Sequence, residues 1–309
     1  MSVRGWIKAV LPDPVLELVR RQRDLFRARR SYGGQAGSKA VLDGMKSSVR
    51  PRHRILFYPQ APFFPHVAFK LCALLGCLIA EDPRNRYDVV FKRQGATFFD
   101  QSRLSEVDLP LHRIVNAGSV DISKSNVGRR FVEVFGYPLA VDPLTHPGPM
   151  VEKSDQNAAH DGRILVGPIP PEEVRLDRVY QRVVDNRASE EGLVVDHRVP
   201  IHGGRIPLVY VKHRPEERRF GNDNAYVHLA DPASVFEQDE VERILAFARL
   251  MGIDYGELDV LRDRDDRIYV VDANNTPAGP PNGLTEADQR RAVRTLAESF
   301  DELLWTWRV

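Results

Sequence analysis

Two stretches in the last quarter of the chain alternate between apolar and polar residues with a period of two: GELDVLR, from Gly256 to Arg262, and RIYVVDAN, from Arg267 to Asn274. Such alternation with β-branched content predicts strands. Asp265-Asp266 between them tolerates the left-handed conformations of a two-residue hairpin turn. That turn places Asp259 opposite Asp272 and Glu257 opposite Asn274.

Upstream the pattern changes twice. RILFYP is a buried strand, PHVAFKLCALLG a helix, and CLIAE, YDVVFK and HRIVNAG are short strands, which together predict a small parallel sheet with helices over residues 51–120. A helix at SKSNVGRRFVEVFG leads into strands joined as hairpins, among them HRVPIHGGRIPLVYVK with its turn at Gly203-Gly204. DEVERILAFARLMG is apolar at Val241, Ile244, Leu245, Ala248 and Met251, a helical spacing, and LTEADQRRAVRTLAESFDELLWTW is an amphipathic closing helix. The fold class expected is α/β in front and α+β in the C-terminal part.

Residues 1–50 are of another texture. DPVLELVRRQRDLFRARR predicts an amphipathic helix with Val15, Leu18, Val19, Leu25 and Phe26 near one side and arginines crowding its C-terminal half; a linker, SYGGQAGSK, follows. Such a helix either packs on the body with a solvated arginine face or makes a peripheral contact with an anionic membrane or a protein. The net charge of +1 argues neither for nor against nucleic acid as a whole-molecule effect, and none is expected as a partner. No apolar run reaches the roughly 18–20 residues of a membrane span, and no signal-peptide pattern is present. A cytoplasmic location is expected, peripheral to the membrane if the basic helix binds there. Cys72 and Cys77, five apart on a helix, are no disulfide framework and are expected to be buried, inert thiols.

The hairpin poses a chemical question. Opposed side chains have Cβ atoms about 4.5–5.5 Å apart, and like charges there destabilise a sheet. Glu257, Asp259 and Asp272, with the amide of Asn274, therefore suit a hard cation such as Mg²⁺, which takes one or two carboxylates and leaves positions for water and phosphate. A merely solvated acidic face is the competing reading, weakened by DANNTPAGPPNG, a loop opening over the same face. Phosphate chemistry calls for a nucleotide site upstream. A strand ending in Lys153 enters a loop of small and polar residues from Ser154 to Gly162, able to form an anion-binding concavity or a plain turn. In RVYQRVVDNR, the strand ending at Gln181 with Val183 and Val184 beyond offers backbone groups to a flat base, and Asp185 is placed for ribose hydroxyls. Asp196, Arg198 and Lys212 share one hairpin; Arg198 and Lys212 are either contacts for a transferring phosphate or surface cations. His160, His197, His202 and His213 have no metal-ligand spacing.

In this order the segments resemble the ATP-grasp superfamily over about residues 50–300. DISKSNVGRRFVEVFGYPL is similar to the family's segment with the first phosphate-binding lysine, here Lys124; Lys153 resembles the second, ahead of the flexible loop that begins at Ser154. YQRVVD resembles the adenine hinge, which implies Gln181, Arg182, Val183, Val184 and Asp185 at the nucleotide. VDHRV with GGRIP is like the D-x-R strand and hairpin, and LDVLRD with YVVDANNTP resembles the metal hairpin D…E-x-N-x-x-P-G. The match implies Asp259, Asp272 and Asn274 as Mg²⁺ ligands. Aspartate at 272 stands where the family usually has glutamate, one methylene shorter, and Glu257 on the same face is placed to compensate. The loop SDQNAAHDG has a single glycine.

The resemblance implies an ATP-grasp fold behind a small Rossmann-like domain, with residues 51–120 as that domain and 121–309 as the ATP-grasp domain, divided into a nucleotide lobe at 121–185 and a metal and catalytic lobe at 186–309. It implies Mg·ATP between the lobes and a ligase that activates a small-molecule carboxylate as an acyl-phosphate for attack by an amine or thiol, with Arg198 and Lys212 as catalytic cations. A phosphotransferase, or a nucleotide-binding scaffold without turnover, is the alternative on the same scaffold.

Overall fold

The structure, a computed structural model, describes residues 53–159, 161–221 and 223–309. The basic segment at 1–50 and His160 lie outside these residues.

The chain opens with β1 (Arg54–Pro59), α1 (Val67–Leu75), β2 (Leu78–Ala80), β3 (Val89–Arg93) and β4 (Ile114–Val115). These four strands form one parallel sheet in the order β2-β1-β3-β4. β1 and β3 are near-continuous apolar runs because both faces of this sheet are covered. Ile55, Phe57, Val89 and Phe91 face one core, whereas Leu56, Tyr58 and Val90 face another with Phe99, Leu104 and Val107.

Then come α2 (Lys124–Phe135), β5 (Gly148–Ser154), β6 (Arg163–Gly167) and β7 (Arg178–Arg182), the strands forming an antiparallel sheet ordered β6-β5-β7. The rest comprises β8 (Leu193–His202), β9 (Val209–Pro215), β10 (Tyr226–Ala230), α3 (Gln238–Leu250), β11 (Tyr255–Arg262), β12 (Ile268–Asn274) and α4 (Glu286–Thr306). Its strands make an antiparallel sheet ordered β10-β9-β8-β11-β12. The β8–β9 connection turns at Gly203 and Gly204, both with positive φ (59° and 79°), where a side chain would be strained. Among the described residues no helix is long and apolar enough to cross a membrane.

The five-stranded sheet uses its faces differently. One face packs on α2 and α3 through Val199, Leu258 and Val270 against Val127, Phe131, Ile244 and Phe247. On the other face, α4 covers only part: Tyr210 and Tyr255 share a core with Phe300 and the first sheet. The uncovered part carries Asp196, Arg198, Lys212, Asp259 and Asp272, each lining a cleft. The polar residues on these strands thus occupy the part of the face that no helix shields.

Two contacts fix the parallel sheet against the larger one. Asn116, at the end of β4, accepts from the backbone of Asp254 and Tyr255 (both 2.8 Å) and donates to the Tyr255 carbonyl (2.6 Å). Gly252 lies against Gly118 so closely that a Cβ would sit 2.3 Å from a backbone carbon, and its φ is +65°.

The β11–β12 turn is wider than the two-residue turn expected. Asp263 and Arg267 close a three-residue loop with Asp266 left-handed at φ 59°, the common three-residue hairpin geometry. A β-bulge then shifts the register between Asp259 and Val260, since Val260 pairs with Val270 and Asp259 with Asp272. Val271 is the extra residue. The wider turn and the bulge offset each other, so Asp259 faces Asp272 and Glu257 faces Asn274.

Candidate functional site

Neighbouring strands set opposite charges side by side. Arg198 on β8 is paired across the ladder with Asp259 on β11 and donates to both carboxylate oxygens, Nε to Oδ1 at 3.1 Å and Nη2 to Oδ2 at 3.3 Å. Lys212 on β9 donates to the same Oδ1 at 3.0 Å. Asp196 lies 3.2 Å from Arg214 Nε and 3.9 Å from Lys212 Nζ. Burial alone would push the Asp259 carboxyl up, but Arg198 and Lys212 outweigh it and hold it well below the usual carboxylate range. Asp259 is therefore an ionised, neutralised group, not half of an unrelieved carboxylate pair.

Asp272 differs. Burial raises its pKa, Lys124 at 3.8 Å opposes the rise and Asp259 adds to it. Its Oδ1 is buried and accepts no hydrogen bond. The Asn274 amide oxygen accepts from the Thr276 backbone at 2.9 Å.

Two lysines meet this hairpin, one from the three-stranded sheet and one from the start of α2, which packs on the five-stranded sheet. Lys153, on β5, donates to the carbonyl of the bulged Val271 at 3.2 Å, and burial lowers its pKa to about 8. Lys124 begins α2, capped by Ser123, and donates to the Gln156 carbonyl at 2.6 Å. That contact ties the Ser154–Gly162 loop to the helix start, where Asp155 also accepts from Ser125 N and Oγ at 2.7 and 2.9 Å. Asn157 N donates to Thr97 Oγ1 at 2.9 Å, and Gly162 packs beneath Phe220. With one glycine in the loop, Ala158 takes the left-handed turn position at φ 59°.

These groups surround a cleft of about 1130 Å³ between the three- and five-stranded sheets. Lys153, Gln181, Arg182 and Val184 line it from β5, β7 and the segment just beyond, Lys124 from the start of α2, and Arg198, Lys212, Asp259, Asp272 and Asn274 from the five-stranded sheet. Ser154, Val183, Asp185 and Glu257 are not part of the lining. Asp185 is ion-paired with Arg187 (2.6 Å) and Arg264 (3.0 Å). Glu257 is 3 % exposed, beneath the surface and 3.5 Å from Arg198 Nε. It is a buried partner of Arg198 and lies outside the lining of the cleft, where the extra metal oxygen was expected.

The cleft also has polar groups that the sequence did not mark. Asn186 donates to Asp196 at 3.0 Å, and Arg219 donates to Asn186 Oδ1 at 2.6 Å and to the Val184 carbonyl at 2.9 Å. Arg214 was legible, since it follows Lys212 by two in a strand and must share its face. Arg219 and Lys70 come from a loop and from α1, and no periodicity brings them to a site on another element.

Among the described residues no group of three or more His, Cys, Asp or Glu side chains could by itself hold a metal ion. The oxygens present fit a different kind of site. Asp259 is committed to two cations, Asp272 has an open buried oxygen, and Asn274 stands two residues on. That set suits Mg²⁺, which takes one or two protein carboxylates and completes its shell with phosphate and water.

A parallel three-layer front, an antiparallel lid sheet and an antiparallel base sheet closing on a cationic cleft make this the ATP-grasp fold. Neither a family model nor a curated protein matches the chain by sequence. Among solved structures it is similar to ATP-grasp ligase PsnB complexed with minimal precursor (TM-score 0.52, 13% identity, covering 81% of this chain and 98% of that one). The same ligase complexed with minimal precursor, Mg and ADP gives TM-score 0.51 at 12% identity, over 82% of this chain and 98% of that one. A RimK domain ATP-grasp protein from Sphaerobacter thermophilus DSM 20745 gives 0.50 at 13% identity, over 82% and 99%.

Proposed function

We propose that the protein is an ATP-dependent ligase that activates a carboxylate as an acyl-phosphate for attack by an amine or thiol. The observation that carries this reading is the charge of the cleft. Eight lysine and arginine side chains line it against four aspartates, while the whole chain is nearly neutral. A low-dielectric cleft with that excess favours a polyanion. Its apolar lining, with Leu139, Val151, Val184 and Leu261, suits a flat base beside the hinge at Gln181–Val184.

Lys124, at the start of α2, and Lys153, on β5, approach the hairpin and are assigned to phosphate oxygens. Asp272 and Asn274, with Asp259, are the residues that would hold Mg²⁺, which when bound neutralises charge on phosphate oxygens. Arg198, held in line by Asp259 and Glu257, presents a fixed guanidinium to a transferring phosphoryl group. In the first step a carboxylate oxygen bonds to the γ-phosphorus as the bond to the β,γ-bridging oxygen breaks, releasing ADP. In the second, the nucleophile forms its bond to the acyl carbon and phosphate leaves. No side chain needs to form a covalent intermediate, so positioning and charge neutralisation are what this protein contributes. Solved relatives in fold include a ligase complexed with Mg and ADP, which supports the nucleotide and the metal.

The test is the melting temperature with Mg·ATP, with ATP plus chelator, and for Asp272→Asn. At a ligand concentration of 100 times Kd, binding stabilises by about 2.7 kcal/mol. Wild type should show that rise with Mg·ATP and much less with chelator, and Asp272→Asn should lose most of it while folding normally. Equal shifts with and without Mg²⁺ overturn the metal assignment, and no shift with Mg·ATP overturns the nucleotide.

A further inference from the structure

Beside Lys124 and Lys153 the cleft wall is the Ser154–Gly162 loop, of which Gln156, Asn157, Asp161 and Gly162 belong to the lining. Ordering such a loop costs backbone entropy, and contacts must offset it. Some of those contacts reach neighbouring elements. Asp155 accepts from Ser125 N and Oγ, its carbonyl accepts from Lys124 N at 3.2 Å, and Asn157 N donates to Thr97 Oγ1. The two ends of the loop are joined by a different device. β5 lies between β6 and β7, and its register with β6 runs through Val151↔Ile164 and Glu152↔Arg163. Two steps further, Ser154 stands opposite Asp161, and on its other side it is paired with Arg178 of β7. Asp161 Oδ1 accepts from Ser154 N at 3.0 Å, and Asp161 Oδ2 accepts from Arg178 Nη1. One carboxylate thus closes the loop onto its first residue and is itself held by a guanidinium from the third strand.

The charge of this pair matters as much as the closure. Burial pushes the Asp161 carboxyl up, but the Ser154 amide and Arg178 outweigh it and hold it below the usual carboxylate range. Asp161 is therefore an anion in the wall of a cleft whose other charges suit a polyanion, and a carboxylate facing a polyphosphate repels it. Arg178 lies outside the lining and is the less exposed of the two, 18 % against 35 % for the Asp161 side chain. Its cation serves Asp161 from behind rather than a ligand in the cleft.

We propose that Arg178 and Asp161 are positioning residues for the nucleotide: Asp161 gives the loop its phosphate-facing form, and Arg178 fixes that carboxylate and cancels the charge it would otherwise turn on the phosphates. The inference rests on the ligase reading above, which puts the triphosphate beside this loop. It carries a consequence of its own. The form of the loop is set by bonds within the chain, so nucleotide binding has little ordering of it to bring about.

The test is a double-mutant cycle on the full chain, read as the Kd of Mg·ATP by titration calorimetry. Arg178→Met leaves the Asp161 anion uncancelled, and affinity should fall by about tenfold or more. Asp161→Asn keeps the oxygen that accepts from Ser154 N and removes the charge. Alone it should hold Kd within about threefold of wild type or tighten it, and added to Arg178→Met it should recover most of the loss. A purely structural role for Arg178 gives no such recovery, so a double variant that binds as weakly as Arg178→Met overturns the inference. Unchanged Kd in a folded Arg178→Met overturns it as well. Hydrogen exchange supplies a second measurement. In wild type the amides of Ser154 and Asn157 should be protected without nucleotide and slow by less than about threefold when Mg·ATP is added, whereas in Arg178→Met without nucleotide they should exchange about tenfold faster. A larger slowing in wild type means that the loop forms on the ligand, which overturns the inference even if Arg178→Met does not fold. Failure of wild type to bind Mg·ATP is the failure of the ligase reading instead, and the exchange rates without nucleotide still judge what holds the loop.

Discussion

Replacing Glu257 by glutamine separates a buried carboxyl from a metal ligand. Glu257 is 3 % exposed, its Oε2 has no hydrogen bond, and Arg198 Nε is 3.5 Å away. Burial raises its pKa from 4.5 to about 7; Arg198 pulls the other way, and Asp259 adds to the rise. Below pH 4.5 both folded and unfolded states hold the proton, and the group contributes nothing to pH dependence. Between 4.5 and about 7 the unfolded chain has released it while the folded protein keeps it, so stability falls as pH rises. Above about 7 the penalty is complete, and a rise from 4.5 to about 7 corresponds to about 3 kcal/mol. Glutamine keeps the shape and cannot ionise. Urea unfolding of wild type and Glu257→Gln at pH 5, 6, 7 and 8 should give curves that nearly coincide at pH 5 and separate to about 3 kcal/mol in favour of the variant at pH 8. All other groups titrate alike in both proteins and cancel in the difference. A variant less stable than wild type at pH 8 would mean that the Arg198 contact outweighs burial, and the reasoning would be wrong.

Three further outcomes follow from the same geometry. Lys153→Met should weaken nucleotide binding by about 1.5–3 kcal/mol through loss of a charge-assisted contact, measured by titration calorimetry; unchanged affinity in a folded variant would remove Lys153 from the phosphates. Ala158→Gly should raise stability by about 1 kcal/mol in urea unfolding, because a non-glycine residue at φ 59° carries left-handed strain of about 1–2 kcal/mol that glycine avoids at some cost in chain entropy. Gly252→Ala should lower stability by about 2–5 kcal/mol, the sum of left-handed strain and overpacking against Gly118 at 2.3 Å; a melting temperature near that of wild type would show that the two segments can part without loss.

Local pattern decided much of this protein. The runs at RILFYP and YDVVFK, apolar without alternation, foretold a sheet covered on both faces, and the structure buries Ile55, Leu56, Val89 and Val90 completely. The period-two stretches at 256–262 and 267–274 foretold a hairpin with Asp259 opposite Asp272, and that pairing exists, although by way of a wider turn and a compensating bulge at Val271. Register and side-chain direction are properties of the local backbone, so a sequence can state them.

Partnership across elements is another matter. The sequence suggested repulsion between Asp259 and Asp272; the structure gives Asp259 three hydrogen bonds from Arg198 and Lys212, because β8 and β9 run alongside β11 in one sheet. It suggested Asp185 for a sugar; Arg264, from a turn nearly eighty residues on, lies 3.0 Å from it. It set Glu257 on the face of the metal hairpin, and only the position of the parallel sheet and α4 makes that part of the face an interior. Lys70 reaches the cleft because the segment after β12 hydrogen-bonds along α1. The chain by itself determined which residues form strands and which way their side chains point. The sheet order and the helix covering half a face decided which charges meet, since electrostatic energy depends on distance and burial, and neither is written in sequence separation.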